Sequence, residues 1–147
     1  MEIYNLSYLI MKYRYIDHTS DLGAEIFGKN LEELFANACF AIFDNILDLN
    51  LVEEKRKRTI ALKSSNLQDL FMDWLRELIF LFSFEYFIVK RVSKFDLKDN
   101  TLTAELWGEK FDQSRHQVKI EIKTPTYHMY QIIETKDGYK ATVVFDV

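Results

Sequence analysis

One cysteine, one proline and four glycines among 147 residues exclude several classes of protein at once. The lone Cys39 rules out an intramolecular disulfide and any cage of several thiolates, a usage that suits a reducing cytosol. His18, His116 and His128 are isolated, and no C-x-x-C or H-x-x-x-H spacing marks a zinc site. Glycine-rich phosphate loops are missing, and no nucleophile elbow is present. No apolar run approaches the roughly 20 residues that span a bilayer. The opening "MEIYNLSYLIMK" lacks both a basic start and a small-residue cleavage site, so it does not read as a signal peptide. The expectation is a cytoplasmic protein without a membrane partner.

What remains is ordinary globular material. The chain is 48% hydrophobic and 29% charged, and its twelve Phe and eight Tyr supply bulky core side chains. Its length fits a single domain over residues 1–147. Residues 1–12 form an N-terminal extension, either an extra strand or a product of start-codon choice, since Met11 stands just before the first plausible strand. A net charge of −4 gives little long-range attraction for phosphate, so no stable direct binding of nucleic acid is expected. The densest basic run, "EKRKR" at 54–58, reads as a solvated strand entrance, with contact to nucleic acid or an acidic partner as the other reading.

Periodicity supplies the elements. "YRYID" and "LGAEIFG" read as strands flanking a turn, and Asn30 offers an N-cap to "LEELFANACFAIFDNIL". Leu31, Leu34, Phe35, Ala38, Cys39 and Ile42 recur at helical spacing and predict that helix's buried face, with Cys39 a packed thiol. "RTIALK" is a third strand. Ser65 or Asn66 caps "LQDLFMDWLRELIFLF", whose apolar stripe is Leu67, Leu70, Phe71, Trp74, Leu78 and Phe82. From Glu85 the period changes to two. Two strands join at "KDN", "QVKIEIK" alternates cleanly as another, and the last two meet at the Asp-Gly of "KDG". The order ββαβα followed by about five strands predicts an α+β fold, mainly antiparallel, with seven to eight strands and two amphipathic helices.

"DHTSD", residues 17–21, is the densest chemical cluster. Asp, Thr and Ser favour turns because their side chains bond nearby backbone N–H groups. Asp17 and Asp21 also offer oxygens to a hard cation such as Ca²⁺ or Mg²⁺, which needs several. A further donor stands at the far end of the chain. "VVFDV" sets Asp146 beside the carboxylate of Val147, and if Phe145 faces the core, Asp146 faces out. Carboxylates so placed repel one another unless a cation lies between them. The residues alone therefore give a candidate hard-cation site and no reaction.

Several stretches resemble the archease family in the expected order. "YIDHTSDLGAEIFGKNLEELFANACFAIFD" is similar to that family's opening, a D/E-H-T-A-D-x-G turn and a helix entered through G-K-T-L-E-E. Ser20 replaces the usual Ala, and Asn30 the usual Thr. "DLFMDWLRELIFLF" resembles the second-helix motif, and "WGEKFDQSRHQVKIEIKTPTYH" the G-x-x-x-D-x-x-R-H…K-A-V-T-Y-H segment, with Thr124 and Pro125 departing from Ala-Val. The resemblance covers about residues 13–147 and implies an archease-like fold. It also implies a non-catalytic protein cofactor of the RtcB-type RNA ligase, promoting that ligase's guanylylation and multiple turnover in tRNA splicing. An older proposal for the family, a general chaperone or modulator of RNA-processing enzymes, is the alternative; a metal-dependent hydrolase is a third. Carried over residue by residue, the family's metal ion, seen as Ca²⁺, falls to Asp21, Asp146 and Val147. Asp17, Lys123 and His128 are expected to face the partner.

Overall fold

The computed structural model describes residues 11–16 and 21–147. Strands β1 (Tyr13–Ile16) and β2 (Leu22–Gly28) lead into helix α1 (Leu31–Ile46), then β3 (Arg56–Lys63) and helix α2 (Leu67–Glu85). Four strands complete the chain: β4 (Phe87–Lys98), β5 (Thr101–Lys110), β6 (Thr124–Thr135) and β7 (Gly138–Asp146). They form two antiparallel sheets, ordered β1-β2-β7-β6 and β3-β5-β4. The fold is α+β, as expected, with two helices and seven strands among the described residues.

Both helices begin where sequence chemistry sets their start. The Asn30 side chain accepts the Glu33 N–H at 2.8 Å, and that of Asn66, rather than Ser65, accepts the Asp69 N–H at 2.8 Å. Leu34, Phe35, Ala38, Cys39 and Ile42 of the predicted α1 stripe are buried, and Leu31 packs against the core's edge. On α2, Leu70, Phe71, Trp74 and Leu78 are buried, while Leu67 and Phe82 are partly so. Phe35 meets Phe71 edge-on at 4.9 Å, and the indole N–H of Trp74 donates to the Phe35 carbonyl at 2.9 Å. Full burial of one such ring contributes about 1.5–3 kcal/mol. This shared aromatic core locks the helices together.

The hairpins also follow their turn residues. Asp99 and Asn100 adopt φ of 52° and 58°, the left-handed pair that a two-residue hairpin requires. At the β6–β7 turn, Gly138 has φ 144°, and a Cβ there would stand 2.2 Å from the Gly28 carbonyl oxygen. Only glycine permits that approach.

One expected strand is not a strand. The alternating stretch at 117–123 runs outside both sheets, which leaves four strands after α2 instead of about five. Among the described residues, two of its backbone N–H groups find backbone acceptors: Lys119 donates to Ile46 at 2.6 Å and Lys123 to Asp146 at 2.9 Å. Strand β7, its available neighbour, ends at Asp146. Ile122 is buried as the alternation predicts, but Val118 and Ile120 stand 40% and 36% exposed. Alternation gave the faces a two-residue period, but sheet membership needs a partner strand that is missing here.

Candidate metal and partner-docking site

The register of β2 on β7 runs from Leu22 opposite Phe145 to Gly28 opposite Tyr139. Asp21 immediately precedes the first of these pairs, and Asp146 immediately follows it. The backbone thus brings the two residues out at one end of the four-stranded sheet. Phe145 is buried, and Asp146, on the opposite face of β7, is half-buried, as is Asp21. Val147 is 37% exposed. On the other flank Asp146 pairs with Thr124, and its carbonyl accepts the Lys123 N–H. Asp21, Asp146, Val147 and Lys123 therefore meet at one sheet end although more than a hundred residues separate the first two.

Asp17 and His18, with the rest of the expected turn at 17–20, lie outside the described residues. Among the described residues no group of three His, Cys, Asp or Glu side chains gathers as a metal cluster. The donors the sheet end does offer are oxygens, the carboxylates of Asp21 and Asp146. Oxygen donors suit a hard divalent cation and not a thiolate-seeking one. Two carboxylates offer at most about four of the 6–8 oxygens that a Ca²⁺ would take, so water or a partner group would supply the others.

His128 is placed elsewhere. Strand β6 follows β7 up to Thr126 opposite Val144 and resumes at Gln131 opposite Thr142. Residues 127–130 bulge out against the single intervening Val143, with Met129 at φ 55°. His128 is exposed in this bulge, several residues along β6 from the Asp146 end. Two tyrosines pin the bulge to α2: Arg76 donates to the Tyr127 hydroxyl at 3.2 Å, and Tyr130 donates to the Gln68 carbonyl at 2.6 Å. A bulge of this kind re-aims side chains away from the sheet plane. Pro125 stands on the same edge strand, opposite Phe145, where its missing donor is tolerated.

A polar network escaped residue-by-residue reading. Glu109, buried at the end of β5, takes bonds from the Arg115 guanidinium and from the Glu53 N–H at 2.6 Å. Burial pushes its carboxyl up, but the Arg115 bond and charge and the Glu53 N–H outweigh that and hold it below the usual range. His116 is buried beside it, with Nδ1 accepting the Asp112 N–H at 2.9 Å and Nε2 3.1 Å from the Leu51 carbonyl. Asp112 in turn accepts from the N–H and hydroxyl of Ser114, which hold its own carboxyl low. The available signal was the D-x-S turn chemistry within "DQSRH". The network anchors the start of the segment that ends at Lys123.

Basic residues of the 54–58 run are matched by acids: Lys57 with Glu105 at 3.1 Å and Arg58 with Glu85 at 3.5 Å, at the exposed start of β3. Cys39 is fully enclosed, and burial alone drives its thiol far above its ordinary value, which removes the reactive thiolate. No helix among the described residues is long and apolar enough to cross a membrane.

Residues 13–147 match the model of the archease protein family (MTH1598/TM1083). The archease of Methanosarcina barkeri is 36% identical over 140 residues, covering 92% of this chain and 96% of that one. That of Archaeoglobus fulgidus is 36% identical over 139 residues, covering 93% and 100%. The solution structure of Methanobacterium thermoautotrophicum protein 1598 superposes with a TM-score of 0.77 at 32% identity, over 92% of this chain and 99% of that one. A Thermotoga maritima crystal structure described as "an archease, possible chaperone" shares the fold, with a TM-score of 0.66 at 22% identity, over 91% and 96% of the two chains.

Proposed function

This chain belongs to the archease family, and on that premise we propose that it is a non-catalytic activator of an RtcB-type RNA ligase in tRNA splicing. It promotes the ligase's guanylylation and multiple turnover, acts in the cytoplasm, and needs neither a membrane nor stable direct contact with nucleic acid. Asp21, Asp146 and the carboxylate of Val147 would hold a divalent cation, with Ca²⁺ as the working case. When bound, that ion supplies open coordination positions to the partner or its nucleotide. Asp17, Lys123 and His128 are the polar groups offered to the ligase.

One observation carries this reading: the pairing of Leu22 with Phe145, which draws Asp21 and Asp146 to the same sheet end. Lys123 joins them through its backbone bond to Asp146. The site therefore joins anionic oxygens and an exposed cation, which suits positioning another enzyme's charged groups better than turnover of its own. The test is guanylylation of purified ligase with and without this protein, in Ca²⁺, Mn²⁺ or chelator. Equal rates with and without the protein would defeat the reading.

A second reading, a general chaperone or modulator of RNA-processing enzymes, draws on the solvent-facing aromatic rings of Phe80, Phe84 and Tyr86. Capture from the native cell extract separates the two. A dedicated activator recovers chiefly the ligase, whereas a chaperone recovers many proteins.

A further inference from the structure

We propose that the groove between the C-terminal half of α2 and residues 121–125 docks a segment of a protein partner that carries an apolar side chain next to a carboxylate. The inference rests on the activator reading and names where that partner seats. Phe80 and Phe84, one turn apart on α2, are 45% and 71% exposed. Their rings stack at 4.8 Å and 25°, so they form one apolar plate facing solvent. A polar residue at either position would serve an isolated helix better. The plate forms one wall of a groove of about 320 Å³, and Lys123, Thr124 and Pro125 form the facing wall. That volume takes a few side chains.

Charge identifies the occupant. Arg76 stands one turn before Phe80 and lines the groove, its charge shared with Asp73 at 3.5 Å. Lys123 lines it too, and among the described residues its ammonium has no ion-pair partner. Glu121 is the single acid on the wall. The balance calls for a carboxylate beside Lys123 and an apolar group on the phenyl plate. Lys123, on the groove wall, also donates its backbone N–H to the Asp146 carbonyl, so the groove and the candidate metal site share that strand end. Aromatic and arginine side chains at the centre of a desolvated patch are where binding energy concentrates.

The experiment measures binding of the full chain to purified RtcB-type ligase, by calorimetry at two salt concentrations, alongside guanylylation and sedimentation velocity of the chain alone. Phe84→Ser and Phe80→Ser/Phe84→Ser should weaken binding roughly tenfold or more with unchanged thermal unfolding. Lys123→Glu should weaken it and flatten its salt dependence. If the phenylalanine variants bind and activate like the wild type, the groove is not the dock, while the activator reading stands. If the wild type itself neither binds nor activates, the activator reading fails and the groove loses its partner. Self-association of the wild type that Phe84→Ser abolishes would assign the groove to a second copy and overturn the proposal.

Discussion

Leu22 stands directly opposite Phe145, and this pairing brings Asp21 to the Asp146 end of β7. Asp21 and Asp146 leave the sheet as neighbours on adjacent strands. Both should be needed for metal binding and ligase activation, and neither for folding. Both residues lie outside the buried core, so removing one carboxylate strips a ligand and leaves the packing intact. Stability without metal in Asp21→Ala and Asp146→Ala should therefore stay within about 0.5 kcal/mol of the wild type. The stabilisation that added Ca²⁺ supplies, which grows with the ratio of free ion to Kd, should shrink or vanish. Thermal melts with and without Ca²⁺ measure both quantities. Undiminished metal shifts in both variants would place the ion elsewhere.

Much of this relationship was legible in the sequence, but not its cause. The motif at 17–21 and the terminal "FDV" each announced carboxylates, and family resemblance joined them. Periodicity alone could not, because register between strands far apart in the chain depends on tertiary pairing. Helix caps and hairpins were readable for the opposite reason: Asn30, Asn66 and the Asp99–Asn100 turn act on groups a few residues away. The failure at 117–123 has the same root. Val118, Ile120 and Ile122 alternate as a strand should, yet the neighbour they need ends at Asp146. Nothing in the sequence singles out Glu109; its burial depends on Arg115 and His116 folding back upon it.

Lys123 has two separable roles, one for its side chain and one for its backbone. Lys123→Ala keeps the N–H that Asp146 accepts and removes only an exposed ammonium. Ligase activation should drop while the melting temperature holds. Lys123→Pro also deletes the N–H, so the end of β7 loses a bond worth about 1 kcal/mol. Hydrogen exchange of the β7 amides should quicken only in the proline variant. Equal activation by wild type and Lys123→Ala would return this lysine to a solvated surface position.

Cys39 should be inert while the protein is folded. It is buried on the α1 stripe, and enclosure pushes its thiol far above the pH of any ordinary assay. A thiol reagent such as DTNB should label it only through opening of the fold, at a rate that climbs with denaturant. Fast stoichiometric labelling of the native protein would mean that α1 does not seal it.

Glu109 should make the fold acid-sensitive. Its carboxylate takes the Arg115 guanidinium and the Glu53 N–H in a buried setting, and its pKa in the folded protein is depressed. A group depressed on folding contributes stability that is complete above its unfolded value, near pH 4.3, and is lost as pH falls through the lower folded value. Glu109→Gln keeps the shape but removes the charge that Arg115 meets, and should cost roughly 1.5–3 kcal/mol at neutral pH, the scale of hydrogen bonds to charged groups. The variant's stability should then fall less than the wild type's below about pH 4.3, because one fewer carboxylate has to be protonated. Urea melts at pH 7 and through the acid range give both numbers. Because this network anchors the segment leading to Lys123, the variant should also activate the ligase less well even where it is fully folded. Identical acid profiles for the two proteins would show that Glu109 is not the group whose ionisation the fold depends on.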